Sequence, residues 1–515
     1  MLARIKSFGL SGLEGYLVEV EADISTGLPS FDTVGLPDAA VKESRERVRS
    51  ALKNSGFDFP LARITVNLAP AHLRKEGPIY DLPIAIGILV ATGQVPGEAV
   101  RDTLILGELS LGGEVRRVLG VLPMMISARK QGITKVILPG DNVNEAACID
   151  GLEVYAAENL SELAGALCGH GELVRVPHAV WDSRTVAQQA RYELDLAQVK
   201  GQQSAKRALE IAAAGGHNLL MVGPPGSGKT MMARCLPSIL PAMSFEEALE
   251  VTKIHSVAGM LASGDGLLSV RPFRAPHHTA SVPAMMGGGV TARPGEISLA
   301  HLGVLFLDEF PEFPKQVLES LRQPLEDGTI HVARINASVL YPARVMLVAS
   351  MNPCPCGHLG SGRHVCKCTP YQIAVYRRRI SGPLLDRIDM QIEVDPVPVS
   401  ALSDAAQGEE PSSEVRKRVE AARALQRERY KGETGIYSNT QLDAKRLPQY
   451  ALMQDAAKEM LERAFELLKL SARAHSRIIK VARTIADLAG TDTVGVEQIS
   501  EAIRYRSLDR KHWDV

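Results

Sequence analysis

The sequence predicts an α/β core on a parallel sheet, preceded by a separate α+β domain and followed by a helical C-terminal region. Three observations predict it. The runs Asn218–Val222, Val304–Leu307 and Val345–Ala349 are apolar without alternation, which fits strands covered on both faces. Residues 1–170 already alternate strand-like and helix-like segments before the first of those runs begins. Residues 471–488 carry apolar side chains at helical spacing.

The elements follow in chain order. A chain of 515 residues is too long for one ordinary domain, so two or three are expected. In residues 1–170, Arg63–Ala69 and Thr134–Leu138 read as buried strands, and Asp38–Lys53 and Pro123–Gln131 as amphipathic helices. Residues 171–191, with Gly, Pro and His, read as a linker. The core spans 192–395. Residues 396–413 mix Pro, Ser, Gly and acidic side chains and read as an exposed connector, and 414–515 form the helical region.

Composition narrows the function. Hydrophobic residues at 45% and charged residues at 23% are the balance of a globular protein. A net charge of −1 excludes a global basic footprint, so any polyanion site must be local. No apolar run is long enough to span a bilayer, and the first residues lack the apolar stretch of a secretory signal. With seven cysteines in so long a chain, a reducing cytoplasm is the expected compartment.

The chemistry starts at Gly223-Pro224-Pro225-Gly226-Ser227-Gly228-Lys229-Thr230. A strand before it and a helix after it give the context of a phosphate-binding loop. Glycine lets the backbone N–H groups turn inward around phosphate oxygens, and the helix N-terminus adds its field. Lys229 supplies charge at the β and γ phosphates of ATP, and Thr230 offers a hydroxyl to Mg²⁺. About 80 residues on, Val304–Leu307 ends in Asp308 and Glu309: one carboxylate for the Mg²⁺ shell, one to polarise water. The next buried run ends at Asn352, a polar side chain suited to the water or the γ-phosphate.

Four of the cysteines fall in two pairs, Cys354-Pro-Cys356 and Cys366-Lys-Cys368. Four thiolates can build a tetrahedral Zn²⁺ site, with His358 and His364 as substitutes. The competing reading is reduced thiols packing a loop. Arg334, Arg363, Lys367 and the run Arg377–Arg379 are candidate phosphate contacts.

Arg274-Ala-Pro-His-His-Thr279, Arg293-Pro-Gly-Glu-Ile-Ser-Leu-Ala-His301, Ala349-Ser-Met-Asn-Pro-Cys-Pro-Cys-Gly357 and Ser381-Gly-Pro-Leu-Leu-Asp-Arg-Ile-Asp389 resemble signature segments of the magnesium-chelatase-like AAA+ proteins. The resemblance runs nearly end to end. It implies an AAA+ core, an N-terminal domain like that of Lon protease, and a C-terminal helical lid. It makes Lys229 and Thr230 Walker A, Asp308 and Glu309 Walker B, and Asn352 sensor 1. Arg387 matches the arginine finger that reaches a neighbouring subunit, and Arg473 the sensor 2 arginine, with Arg477 the runner-up. The implied assembly is a homo-oligomeric ring, a hexamer, with no membrane.

The N-terminal domain departs from the protease pattern. Ile79 stands where Lon carries its nucleophilic Ser, and the stretch around Leu122, where the activating Lys should fall, contains none. A non-proteolytic scaffold is expected. Three functions share the engine. One is a motor acting on single-stranded or branched DNA, for which the resemblance implies branch migration during integration of transforming DNA. The others are a chelatase-type motor and a protein-remodelling ATPase.

Overall fold

The computed structural model describes residues 2–182, 192–289, 292–334, 337–360, 365–396, 409–433, 435–468, 470–506 and 508. The N-terminal unit is built on an eight-stranded mixed sheet. Its centre is a long antiparallel hairpin, Leu2–Ser11 with Glu14–Ser25. Val18, Val20 and Ala22 are buried on one face while Glu19 and Glu21 point away, the period-two signature of a half-buried strand. The almost wholly buried helix Asp81–Ala91 packs on this hairpin. The helix expected from Asp38 runs over Ala39–Asn54, and the Asp38 carboxylate caps it by accepting from Val41 N at 2.8 Å. Val174–Val176, inside the stretch read as linker, instead extends this sheet by pairing antiparallel with Glu153–Ala157. Residues 183–191 of that linker and residues 397–408 of the connector lie outside the described residues. The last residues of the expected connector already belong to the helix Ser412–Arg429.

The core is a five-stranded sheet, parallel throughout, in the order Phe273–Arg274, Val304–Leu307, Met346–Met351, Leu219–Val222, Met390–Glu393. The three central strands are buried along their whole length, which is why their sequences are continuously apolar. The helices Ser412–Arg429, Asp455–Leu468, Ala472–Leu488 and Val496–Arg504 follow. They are not an independent layer. One apolar cluster contains Leu209, Met221 and Leu236 of the core together with Val419, Ile478, Val481 and Ile499 of these helices. The N-terminal unit keeps a separate apolar cluster, and it meets the core through Leu13, which packs on core residues, and through polar contacts. Ser256 Oγ donates to the buried Glu145 carboxylate at 2.6 Å, Gly120 N to Ser256 O at 3.1 Å, and Asn144 Nδ2 to Gly264 O at 2.7 Å. Among the described residues, no helix is long and apolar enough to cross a membrane.

Candidate functional site

Parallel strands end together, so the loops after them converge on one edge of the sheet. Met346–Met351 lies between the strands that lead to Gly223 and to Asp308, and it delivers Asn352 to the middle of that edge. Gly223 N continues the ladder by donating to Met351 O at 3.1 Å. Gly226 and Gly228 take φ of +75° and +89°, where a side chain would be strained, and the helix Lys229–Ile239 begins at once.

Lys229 is only 8% exposed. Its Nζ donates to Gly223 O at 2.7 Å and Pro224 O at 2.9 Å, and lies 3.5 Å from Asn352 Oδ1. Burial pushes the ammonium down to about 8, against the pull of Asp308. The cation is therefore held by carbonyls that a phosphate can replace. Ser227 Oγ is buried and has no hydrogen-bond partner among the described residues, a polar atom the loop leaves for a ligand.

Thr230 Oγ1 donates to Asp308 Oδ2 at 2.7 Å, so the two groups expected around Mg²⁺ are already adjacent. Ser350 Oγ holds the other Asp308 oxygen, which also accepts from Glu309 N at 3.0 Å. Glu309 has φ +53°, a left-handed backbone that a non-glycine residue seldom adopts, and its carboxylate is more than half exposed. His278 Nδ1 lies 3.2 Å from Glu309 Oε2, and the His277 and His278 rings stack with centroids 4.1 Å apart. Ser350 and His278 were not singled out from the sequence, although both sit inside the signature segments quoted there.

The three arginines lie elsewhere. Met390 pairs with Leu219, and Asp389 N donates to Asn218 O at 3.0 Å, so Arg387 sits at the start of the strands. From Asn218 to Gly223 is roughly 16 Å of extended chain. Arg387 pairs with Glu326, its Nη1 donates to Pro383 O at 2.8 Å, and its buried Nε has no partner among the described residues. Arg477 pairs with Asp389 and donates to Arg387 O at 3.1 Å. Burial alone would raise the Asp389 carboxyl. Arg477, His217 and the Asn218 N–H, which donates at 2.8 Å, override it and hold the carboxyl well below the usual range. Arg473, 60% exposed, stands 3.9 Å from Asp386. The structure thus groups Arg387, Arg473 and Arg477 at the edge of the sheet opposite Lys229.

The four cysteines converge. Their sulfurs all lie within 4.8 Å of one another, with separations of 3.4 Å for Cys354–Cys356, 3.7 Å for Cys354–Cys366 and 3.6 Å for Cys356–Cys366. A tetrahedral ion with Zn–S of about 2.3 Å needs sulfurs about 3.8 Å apart. Backbone N–H groups of His358 and Lys367 donate to Cys356 and draw its thiol down to about 6. Arg377, read from the sequence as a phosphate contact, is instead buried against this loop, its Nη2 donating to Pro353 O at 3.3 Å. Arg379 pairs with Glu312, while Lys367 and Arg378 are exposed. Arg363, His364 and the side chain of Arg334 lie outside the described residues.

A parallel sheet with a phosphate loop, two carboxylates and a polar sensor at one edge is the engine of a P-loop ATPase of the AAA+ class, which takes ATP and Mg²⁺. Residues 195–402 match the family described as magnesium chelatase, subunit ChlI; 20–142 match subunit ChlI of Mg-chelatase; 409–506 match its C-terminal region. The chain is 45% identical over 509 residues to competence protein ComM of Haemophilus influenzae, covering 99% of this chain and 98% of that one. It is 44% identical over 499 residues to the uncharacterized protein YifB of Escherichia coli, covering 97% and 96%. It therefore belongs to the ComM/YifB group of the magnesium-chelatase-like AAA+ family. A Lon protease of Acinetobacter baumannii is 28% identical over 175 residues, covering 32% of this chain and 21% of that one.

Proposed function

We propose that this chain forms a homo-oligomeric ring, a hexamer, that uses ATP to move DNA strands, acting as a branch-migration motor in the uptake or recombination of DNA. The observation that carries it is the division of the site: Lys229, Asp308 and Glu309 at one edge of the sheet, Arg387 and Arg473 at the other. Within one chain these arginines do not reach the phosphates. In a ring, one subunit's arginine edge faces the next subunit's loop. Arg387 then exchanges Glu326 for the charge spread over the transferring phosphoryl group. Thr230 and Asp308 would hold Mg²⁺, which would supply charge neutralisation at the phosphate oxygens. Glu309 polarises the attacking water, Asn352 positions it, and Lys229 trades loop carbonyls for phosphate.

DNA is favoured by the name of the H. influenzae relative, a competence protein, and by a local surface. Tyr371, Val375 and Arg378 fall at i, i+4 and i+7 along one exposed helix face, beside Lys367 and Val365. An exposed aromatic ring among cations suits bases and phosphates without sequence preference. The N-terminal unit is a Lon-like scaffold that does not cleave. The residues at its former catalytic places, Ile79 and Leu122, are buried hydrocarbon. The four cysteines hold one Zn²⁺.

The test is strand exchange on synthetic three- and four-stranded junctions, with ATPase activity measured with and without single-stranded, duplex and branched DNA. Tyr371→Ala and Lys367→Ala should both weaken DNA binding, and Lys367→Ala alone should flatten its salt dependence. Brisk hydrolysis and ring formation with no DNA binding at low salt would move the function to a protein partner. The magnesium-chelatase matches and the loss of Arg377 from the basic surface favour that second reading.

A further inference from the structure

We propose that the metal at Cys354, Cys356, Cys366 and Cys368 sets the geometry of the nucleotide site, so that metal occupancy controls ATP binding and turnover. The inference rests on the zinc reading above and adds a coupling. Cys354 is fully buried and stands two residues after Asn352, the side chain nearest to Lys229 across the loop. Gly357 follows Cys356 at φ +78°, and its Cβ position lies 2.7 Å from Pro225 Cδ and 3.8 Å from Asn352 Cγ. The glycine that follows the first cysteine pair is therefore packed so closely against the phosphate loop and the sensor that an added methyl would collide with Pro225. Arg377 ties the same turn to the helix Pro370–Arg377, which starts just after Cys368.

Among the described residues, hydrogen bonds that hold this segment include Gly357 N to Cys354 O at 3.0 Å, Arg377 to Pro353 O, and the His358 and Lys367 N–H groups on Cys356, beside contacts between thiols. Four metal–sulfur bonds would lock both pairs at once and leave Asn352 and Pro225 one position. Removing the ion leaves four sulfurs within 4.8 Å of one another with no common centre to hold them. The Pro224–Ser227 turn then loses the surface that Gly357 presents to it. The ion carries no chemistry in the reaction. It is a brace placed behind the phosphate loop.

The experiment uses the full chain. Elemental analysis should give one zinc per chain. Withdrawing it with a mercurial and a chelator should weaken binding of a fluorescent ATP analogue at least tenfold and lower kcat. Hydrogen exchange should rise at 223–230 and 352–358 but not at 20–142, and returning Zn²⁺ should reverse all three. Cys366→Ser should reproduce the loss. Gly357→Ala should weaken ATP binding with zinc still bound, because the added Cβ presses on Pro225 and strains the turn while all four sulfurs remain. No zinc as isolated and no uptake on titration would end the zinc reading and the coupling with it. Zinc that can be withdrawn and returned with ATP affinity, kcat and exchange unchanged would overturn the coupling alone.

Discussion

The two edges of the core sheet are unlike. At the ends of the strands, backbone and side chains converge on one empty-handed cation, Lys229, whose carbonyl partners are exchangeable. At the starts, arginines are already engaged, Arg387 by Glu326 and Arg477 by Asp389. The first edge is preorganised for a ligand. The second is held in reserve by its own chain. In the proposed ring the site is completed between two copies, and its arginine half leaves Glu326 before it acts.

The largest effect should come from breaking the first edge. Lys229→Ala should abolish nucleotide binding, and Glu309→Gln should bind ATP with kcat lower by about 10²–10⁴-fold. Near-normal turnover by the Glu309 variant would remove it from the water-activating role. Next is the second edge. Arg387→Ala should lose about 10³-fold in kcat with ATP binding retained. Rings mixed from Arg387→Ala and Lys229→Ala chains should regain activity, because some interfaces then hold both groups. Co-assembly without recovery would place Arg387 in its own subunit's chemistry.

A stability effect separates Arg477 from its neighbours. Removing one partner of a buried ion pair costs about 3–5 kcal/mol, so Arg477→Met should lower the melting temperature markedly, whereas the exposed Arg473→Ala should not. The Asp389 carboxyl is depressed in the folded state. Its contribution is therefore present above its ordinary value of 3.8 and is lost as pH falls below it. Between about pH 5 and 3, wild type should lose more stability than Asp389→Asn. Equal slopes would show that the carboxyl is not depressed. The smallest effect should be His278→Ala. Freeing Glu309 from its imidazole partner should change kcat by about two- to tenfold and leave ATP affinity unaltered. A changed affinity would make His278 part of the binding site.

The nucleotide edge was legible because each of its parts is local. Glycine spacing, a following Lys-Thr, and a strand ending in two carboxylates are short-range patterns with physical causes. The N-terminal hairpin is faint in the sequence. Its second strand alternates Val18, Val20 and Ala22 with Glu19 and Glu21, a period that short windows weigh less than a continuous apolar run. The linker was read too long because Val174–Val176 becomes a strand only by pairing with Glu153–Ala157. Arg377 was read as surface because charge runs usually are. Only the fold reveals that the turn after Asn352 encloses it.

The sequence by itself determined the class of chemistry, since the phosphate loop, its carboxylates and its sensor are written in contiguous residues whose roles follow from backbone geometry and charge. It also determined that the N-terminal unit lacks a nucleophile at Ile79. The tertiary structure alone decided which arginines share an edge, that Arg477 serves Asp389 while Arg473 remains exposed, and that the cysteine turn touches Pro225. Those facts depend on strand order and register, which join residues far apart in the chain, and no local pattern encodes the distance between two edges of a sheet.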